Sequence, residues 1–145
     1  MNKLRDYPNC FICGKDNPIG LKIEFEMTNG KAAGEYTPIR NFEGYKDVLH
    51  GGIISSLLDE VMAYAVFSRG LLAVTTQMEV KFRKAAKIGE KLFLEGAIFE
   101  DRGKIILVEG KILNQKGGIV ATGKGKFFKA EGKLREELLQ GMRSE

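Results

Sequence analysis

The chain has 145 residues, 43% hydrophobic and 29% charged, with a formal net charge of +4. That is ordinary globular composition, long enough for one domain with a real core, and it argues against disorder. No apolar run reaches the roughly 20 residues of a membrane-spanning helix, the start Met1-Asn2-Lys3-Leu4-Arg5-Asp6 lacks the apolar segment of a signal peptide, and the dispersed charge gives little support to nucleic-acid binding.

A cytoplasmic location, no membrane insertion and no nucleic-acid partner are therefore the expectations. One domain over 1–145 is expected, with an irregular arm over 1–19, a core over 20–130 and a short terminal helix over 131–145. Pro8, Gly14 and Pro18 punctuate the arm. It carries both cysteines of the chain, as Cys10-x-x-Cys13. Zinc asks for about four ligands, and the only histidine is distant, so a metal would need carboxylates or an intersubunit site. A redox pair would want a strand–helix context, whereas two prolines frame this one as a loop. The thiols read as structural or incidental, and no metal or cofactor is expected.

Leu21, Ile23, Phe25 and Met27 alternate with charged residues, which predicts a half-buried strand. Asn29-Gly30 signals a hairpin turn, and a partner strand is predicted from Lys31 to Thr37. After a loop from Pro38 to Leu49, apolar residues recur at 53/54, 57/58, 61/62 and 65/66, a stripe that predicts one amphipathic helix from Ile53 to about Arg69-Gly70. Four further alternating segments follow, around Val74–Phe82, Leu92–Ile98, Ile106–Ile112 and Ile119–Phe127.

Gly96, Gly110, Gly123 and Gly125 fall on the inner faces of those last strands, and Gly34 is placed with them. Glycine inside a strand costs stability, so its recurrence predicts close approach by another backbone or strong curvature. Two strands, a helix and a four-strand meander make an α+β chain with a helix cradled by a curved antiparallel sheet. A flat sheet carrying its helix on one face is the alternative. Leu134, Leu138, Leu139 and Met142 predict a short terminal helix that serves packing.

The helix also carries the chemistry. His50-Gly51-Gly52 precedes it, and unencumbered N–H groups at a helix start hold negative charge well. Asp59 lies at roughly 130° from the centre of the apolar stripe, on a margin where desolvation would make its carboxylate a better base. Glu60, some 100° further round, is expected at the surface and is the fallback carboxylate and substrate contact. His50 stands just outside the helix, where an orienting hydrogen bond is favoured over proton transfer. Lys81, Arg83, Lys84, Lys124 and Lys126 can meet phosphates or simply face solvent. Tyr64, Phe67, Met62 and Met78 are read as core.

The spacing of His50-Gly51-Gly52, six residues and Asp59, preceded by Phe42-Glu43-Gly44-Tyr45 and Val48-Leu49, resembles the PaaI-like acyl-CoA thioesterases of the hotdog fold. The lead-in Cys10-Phe11-Ile12-Cys13-Gly14 and Asn17-Pro18-Ile19-Gly20-Leu21 resembles the amino-terminal segment of one branch of that family. The resemblance covers about Cys10 to Phe128 and implies a hotdog fold and a metal-independent hydrolase giving a carboxylic acid and CoA. It implies Asp59 as general base or nucleophile and the N–H near Gly52, with Gly51 beside it at the substrate, as oxyanion donor. It also implies Thr75 as a hydroxyl supplied to the water from a neighbouring subunit, and a homodimer or homotetramer with its site at the interface. Some relatives carry Asn where this chain has Gly44. A non-catalytic acyl-CoA or fatty-acyl sensor of the same fold is the alternative. A dehydratase is disfavoured, because the position five after Asp59 is Tyr64 rather than His.

Overall fold

Period-two alternation of apolar and polar residues builds strands with one face to spare, and the period-3.6 stripe builds the helix that fills it. The computed structural model describes residues 7–142, so the reading of the first six residues lies outside them. Its elements are β1 (Phe25–Thr28), β2 (Lys31–Tyr36), a 3₁₀ turn (Arg40–Phe42), α1 (Gly51–Phe67), β3 (Ala73–Phe82), β4 (Leu92–Asp101), β5 (Ile105–Leu113), β6 (Ile119–Lys129) and α2 (Gly132–Gln140).

The six strands form one antiparallel sheet in the order β1-β2-β4-β5-β6-β3. The sheet wraps α1, whose Ile54, Leu57, Leu58, Val61, Met62, Ala65 and Val66 are buried against Leu94, Ile106, Val108, Ile112 and Phe127. This is the hotdog arrangement. The inner-face glycines explain how the helix comes so close: a Cβ at Gly96 would stand 2.5 Å from the Val61 carbonyl oxygen. At Gly110 and Gly123 the vacated space takes Leu58 and Met62. Gly34 shares that face, but the ring of Phe25 fills its space rather than the helix.

Two boundaries differ from expectation for a physical reason. The first strand begins at Phe25 instead of Leu21, because Leu21 and Ile23 donate their N–H groups to Phe11 and Ile12 of the arm, at 2.9 and 3.0 Å. Lys22 between them takes a left-handed φ of 56°, which interrupts the extended run. The arm is thus tied to the core by backbone bonds and by buried Ile12 and Cys13. The helix begins at Gly51, so the glycine pair forms its first turn rather than preceding it.

The terminal helix α2 buries none of its residues fully, and Tyr7 of the arm donates its hydroxyl to the Leu138 carbonyl. Among the described residues no helix is long and apolar enough to cross a membrane.

Candidate active site

The loop before α1 is held in shape by its own backbone. Gly44 N–H donates to Val48 O at 2.8 Å, His50 N–H to Phe42 O at 2.9 Å, and Leu49 N–H to Ala86 O at 2.8 Å. Arg40 adds salt bridges to Glu43 and Asp47, at 2.6 and 3.0 Å. Gly44 lies against His50, where a Cβ would come within 3.1 Å of the His50 Cα. The loop therefore delivers His50 as the N-cap of α1, with φ −58° and ψ 135°.

His50 does what an N-cap does. Its Nδ1 accepts the Gly52 N–H at 2.8 Å. The orienting role expected for His50 has this geometric counterpart. The Gly52 N–H, expected as oxyanion donor, is engaged by that ring nitrogen, while the Gly51 N–H has no hydrogen-bond partner among the described residues. Gly51 and Gly52 are both exposed. A Cβ on Gly51 would lie 3.5 Å from the ring of Phe82, an aromatic 59% exposed beside the helix start.

Two turns on, Asp59 is half-buried and accepts the Thr75 hydroxyl on Oδ1 at 2.6 Å. Strand β3 lies at one edge of the sheet, and its register against β6 shifts between Thr75 and Gln77. Such a bulge re-aims the side chains around it. Thr76 bonds back to the Lys126 carbonyl, at 3.0 Å. Thr75 reaches Asp59 within one chain, so the two side chains come from the same copy.

Glu60 departs most from expectation. It lies roughly 145° round α1 from the buried stripe, yet it is half-buried rather than exposed, because the arm folds over that side of the helix. The thiols of Cys10 and Cys13 donate to Glu60 Oε2 and Oε1 at 3.5 and 3.8 Å, and Cys13 N–H donates to Cys10 Sγ at 3.4 Å. Burial pushes the Glu60 carboxyl up to about 8, and the Cys10 sulfur adds to the rise. The Cys13 thiol and N–H directed at Cys10 bring Cys10 down to about 5, while Cys10, burial and Glu60 push Cys13 up. The Tyr64 hydroxyl, one turn beyond Glu60, is also raised, chiefly by burial and then by the nearby Cys13. Its ring stacks on Phe25 at 4.4 Å and meets Phe67 edge-on at 5.2 Å.

The structure thus joins Asp59 to Thr75, joins His50 to Gly52, and sends Glu60 to the opposite flank. The signal for Glu60's surroundings was present in the Cys-x-x-Cys of the arm, but nothing local to residues 10–13 says which helix face they cover. Met62 is fully buried in the core, half-buried Tyr64 packs against it, and half-buried Phe67 meets the Tyr64 ring edge-on. Lys81, Arg83 and Lys124 line a separate concavity of about 710 Å³ on the outer face of the sheet, among Glu79, Glu95 and Glu109. Neither Asp59 nor the start of α1 lines it.

Comparison with known proteins follows this geometry closely. The thioesterase superfamily model matches residues 46–121, the loop, α1 and the strands up to β6. A protein of Archaeoglobus fulgidus named "Putative esterase" is 32% identical over 104 residues, covering 72% of this chain and 68% of that one. The structure of the E. coli PaaI protein from the phenylacetic acid degradation operon superposes with a TM-score of 0.74 at 27% identity, over 77% of this chain and 82% of that one. A hypothetical thioesterase of Streptococcus pneumoniae, solved with coenzyme A, gives a TM-score of 0.72 at 25% identity, over 74% and 88%. The chain belongs to the thioesterase superfamily, as a PaaI-like protein of the hotdog fold, and thioester hydrolysis in general is the activity that membership assigns.

Proposed function

We propose that the chain hydrolyses an acyl-CoA to a free carboxylic acid and CoA, with Asp59 as the catalytic carboxylate. The observation that supports this most is the Asp59–Thr75 pair: a half-buried carboxylate fixed at 2.6 Å by a hydroxyl, on a helix whose first amide is open. The S. pneumoniae relative solved with coenzyme A supports the choice of thioester.

In this scheme Asp59 takes a proton from water as the water oxygen attacks the thioester carbon. The carbonyl electrons move to oxygen, which the Gly51 N–H and the helix dipole stabilise. His50 holds the Gly52 N–H until the same oxygen competes for it. Collapse of the tetrahedral adduct expels CoA as its thiolate. Alternatively Asp59 attacks the carbon itself, giving an anhydride that water then opens. Neither route requires a metal or cofactor.

One chain does not complete the site. Gly51 and Asp59 are eight residues apart on α1, about 12 Å along its axis. Three contacts of about 3 Å each, laid end to end, fall short of that span, and attack on a carbonyl does not run in a straight line. Two copies with antiparallel helices would bring Asp59 of one to Gly51 of the other. The long edge strand β3, the exposed helix start and the exposed Phe82 all suit such a homodimer, or a homotetramer built from it.

The test is CoA release from a panel of acyl-CoAs, read with a thiol reagent. Turnover that Asp59→Asn lowers by ~10²–10⁴ supports the proposal. Tight binding without turnover across the panel would contradict it and favour a sensor. Hydrolysis in ¹⁸O-water under single turnover separates the two routes, since only the anhydride places label in Asp59.

A further inference from the structure

The cluster on the far flank of α1 has no part in the scheme above. Cys10 Sγ, Cys13 Sγ and a Glu60 carboxylate oxygen all lie within 4.8 Å of one another. We propose that Cys10, Cys13 and Glu60 form a zinc site that fastens the amino-terminal arm to α1.

The distances suit tetrahedral zinc. With Zn–S of about 2.3 Å and Zn–O of about 2.1 Å, a sulfur and an oxygen on one tetrahedron stand about 3.6 Å apart. Cys10 Sγ stands 3.5 Å from Glu60 Oε2 and Cys13 Sγ 3.8 Å from Glu60 Oε1, so each sulfur has one carboxylate oxygen near that separation. The arm is shaped to present both sulfurs to one point. Gly14 N–H donates to the Cys10 carbonyl at 2.9 Å, and a Cβ on Gly14 would fall 2.4 Å from Cys10 N, so the turn closes as tightly as backbone allows. The Cys13 N–H aimed at Cys10 Sγ is an outer-shell donor of the kind that steadies a thiolate ligand.

Charge points the same way. Glu60 is a half-buried carboxylate facing two thiols, and among the described residues no lysine, arginine or histidine forms a salt bridge with it. A carboxylate held against two sulfurs with no cation of its own is suited to share one with them. Two thiolates select zinc over calcium or magnesium, and the carboxylate disfavours copper(I). Iron–sulfur clusters ask for about four cysteines. Water takes the fourth position, with the Tyr64 hydroxyl beside Cys13 as its neighbour.

The experiment uses the full chain, purified with a phosphine reductant and without chelator, then equilibrated with zinc and desalted. The expected result is one zinc per chain by mass spectrometry. Replacement by cobalt should give the visible bands of a tetrahedral ion together with a sulfur-to-cobalt charge-transfer band. Cys10→Ser and Glu60→Gln should each weaken zinc binding by at least ~10-fold. Zinc should raise the thermal midpoint of the wild type and leave that of Glu60→Gln unmoved. A chain that stays below a tenth of a zinc, gives no thiolate–cobalt band and ignores chelator in its thermal midpoint would overturn the proposal. The spectrum of the wild type decides the matter even if a cysteine variant does not fold. Every readout is independent of acyl-CoA turnover.

Discussion

Asp59 and Glu60 are neighbours of the same chemical type on one helix, and they live in different worlds. Asp59 opens toward an edge strand and is held by one hydroxyl. Glu60 is partly covered by the arm and faces its two thiols. Helical phase would have put Glu60 further from the core than Asp59. What decides burial is which other segment crosses that side of the helix. The comparison separates two jobs: the open flank can admit water and a thioester, and the closed flank can only hold the fold together.

The largest effect that sharpens this contrast is at Asp59. Asp59→Asn should lower the CoA-release rate by ~10²–10⁴ while the circular dichroism spectrum and thermal midpoint stay near wild type. Gly51→Pro comes next. Proline suits the first position of a helix, and His50 already has the extended ψ of 135° that a following proline demands. The fold should survive, and only the open N–H is lost, so turnover should fall by ~10²–10³.

Thr75→Ala removes a hydrogen bond to a charged group, about 1.5–3 kcal/mol. Turnover should drop by ~10–100-fold, and Thr75→Ser should restore most of it. Full activity in the alanine variant would remove Thr75 from the site. Glu60→Gln should have the smallest effect on catalysis, within ~10-fold of wild type, because its carboxyl faces the arm. Were Glu60→Gln to abolish turnover and Asp59→Asn to spare it, the two flanks would exchange roles.

Much of this was legible in the residues. Alternation and the 3.6 period fix the order of strands and helix, and the inner-face glycines announce that a backbone comes close, which the contact of Gly96 with Val61 realises. The His50-Gly51-Gly52 to Asp59 spacing marks the helix that carries the site. What escaped was long-range. Thr75 meets Asp59 within one chain beside a bulge of the ladder at Thr75–Gln77, which period-two alternation does not reveal. Glu60 is partly covered by residues some 50 positions earlier, so no local pattern around it carries the information. The engagement of the Gly52 N–H by the His50 ring is not visible locally either, because it depends on a loop geometry set by Phe42, Val48 and Ala86.

The claim that the open flank works across two copies is tested most directly by mixing. Asp59→Asn and Gly51→Pro subunits are each expected to be nearly inactive, and each is dissociated, combined in equal amounts and reassembled. If Asp59 of one copy acts on the carbonyl held by Gly51 of the other, half of each hybrid's sites are intact, and the mixture should recover about a quarter of wild-type turnover. Hybrids that form, as mass spectrometry would verify, yet stay no more active than the two parents combined would contradict the account.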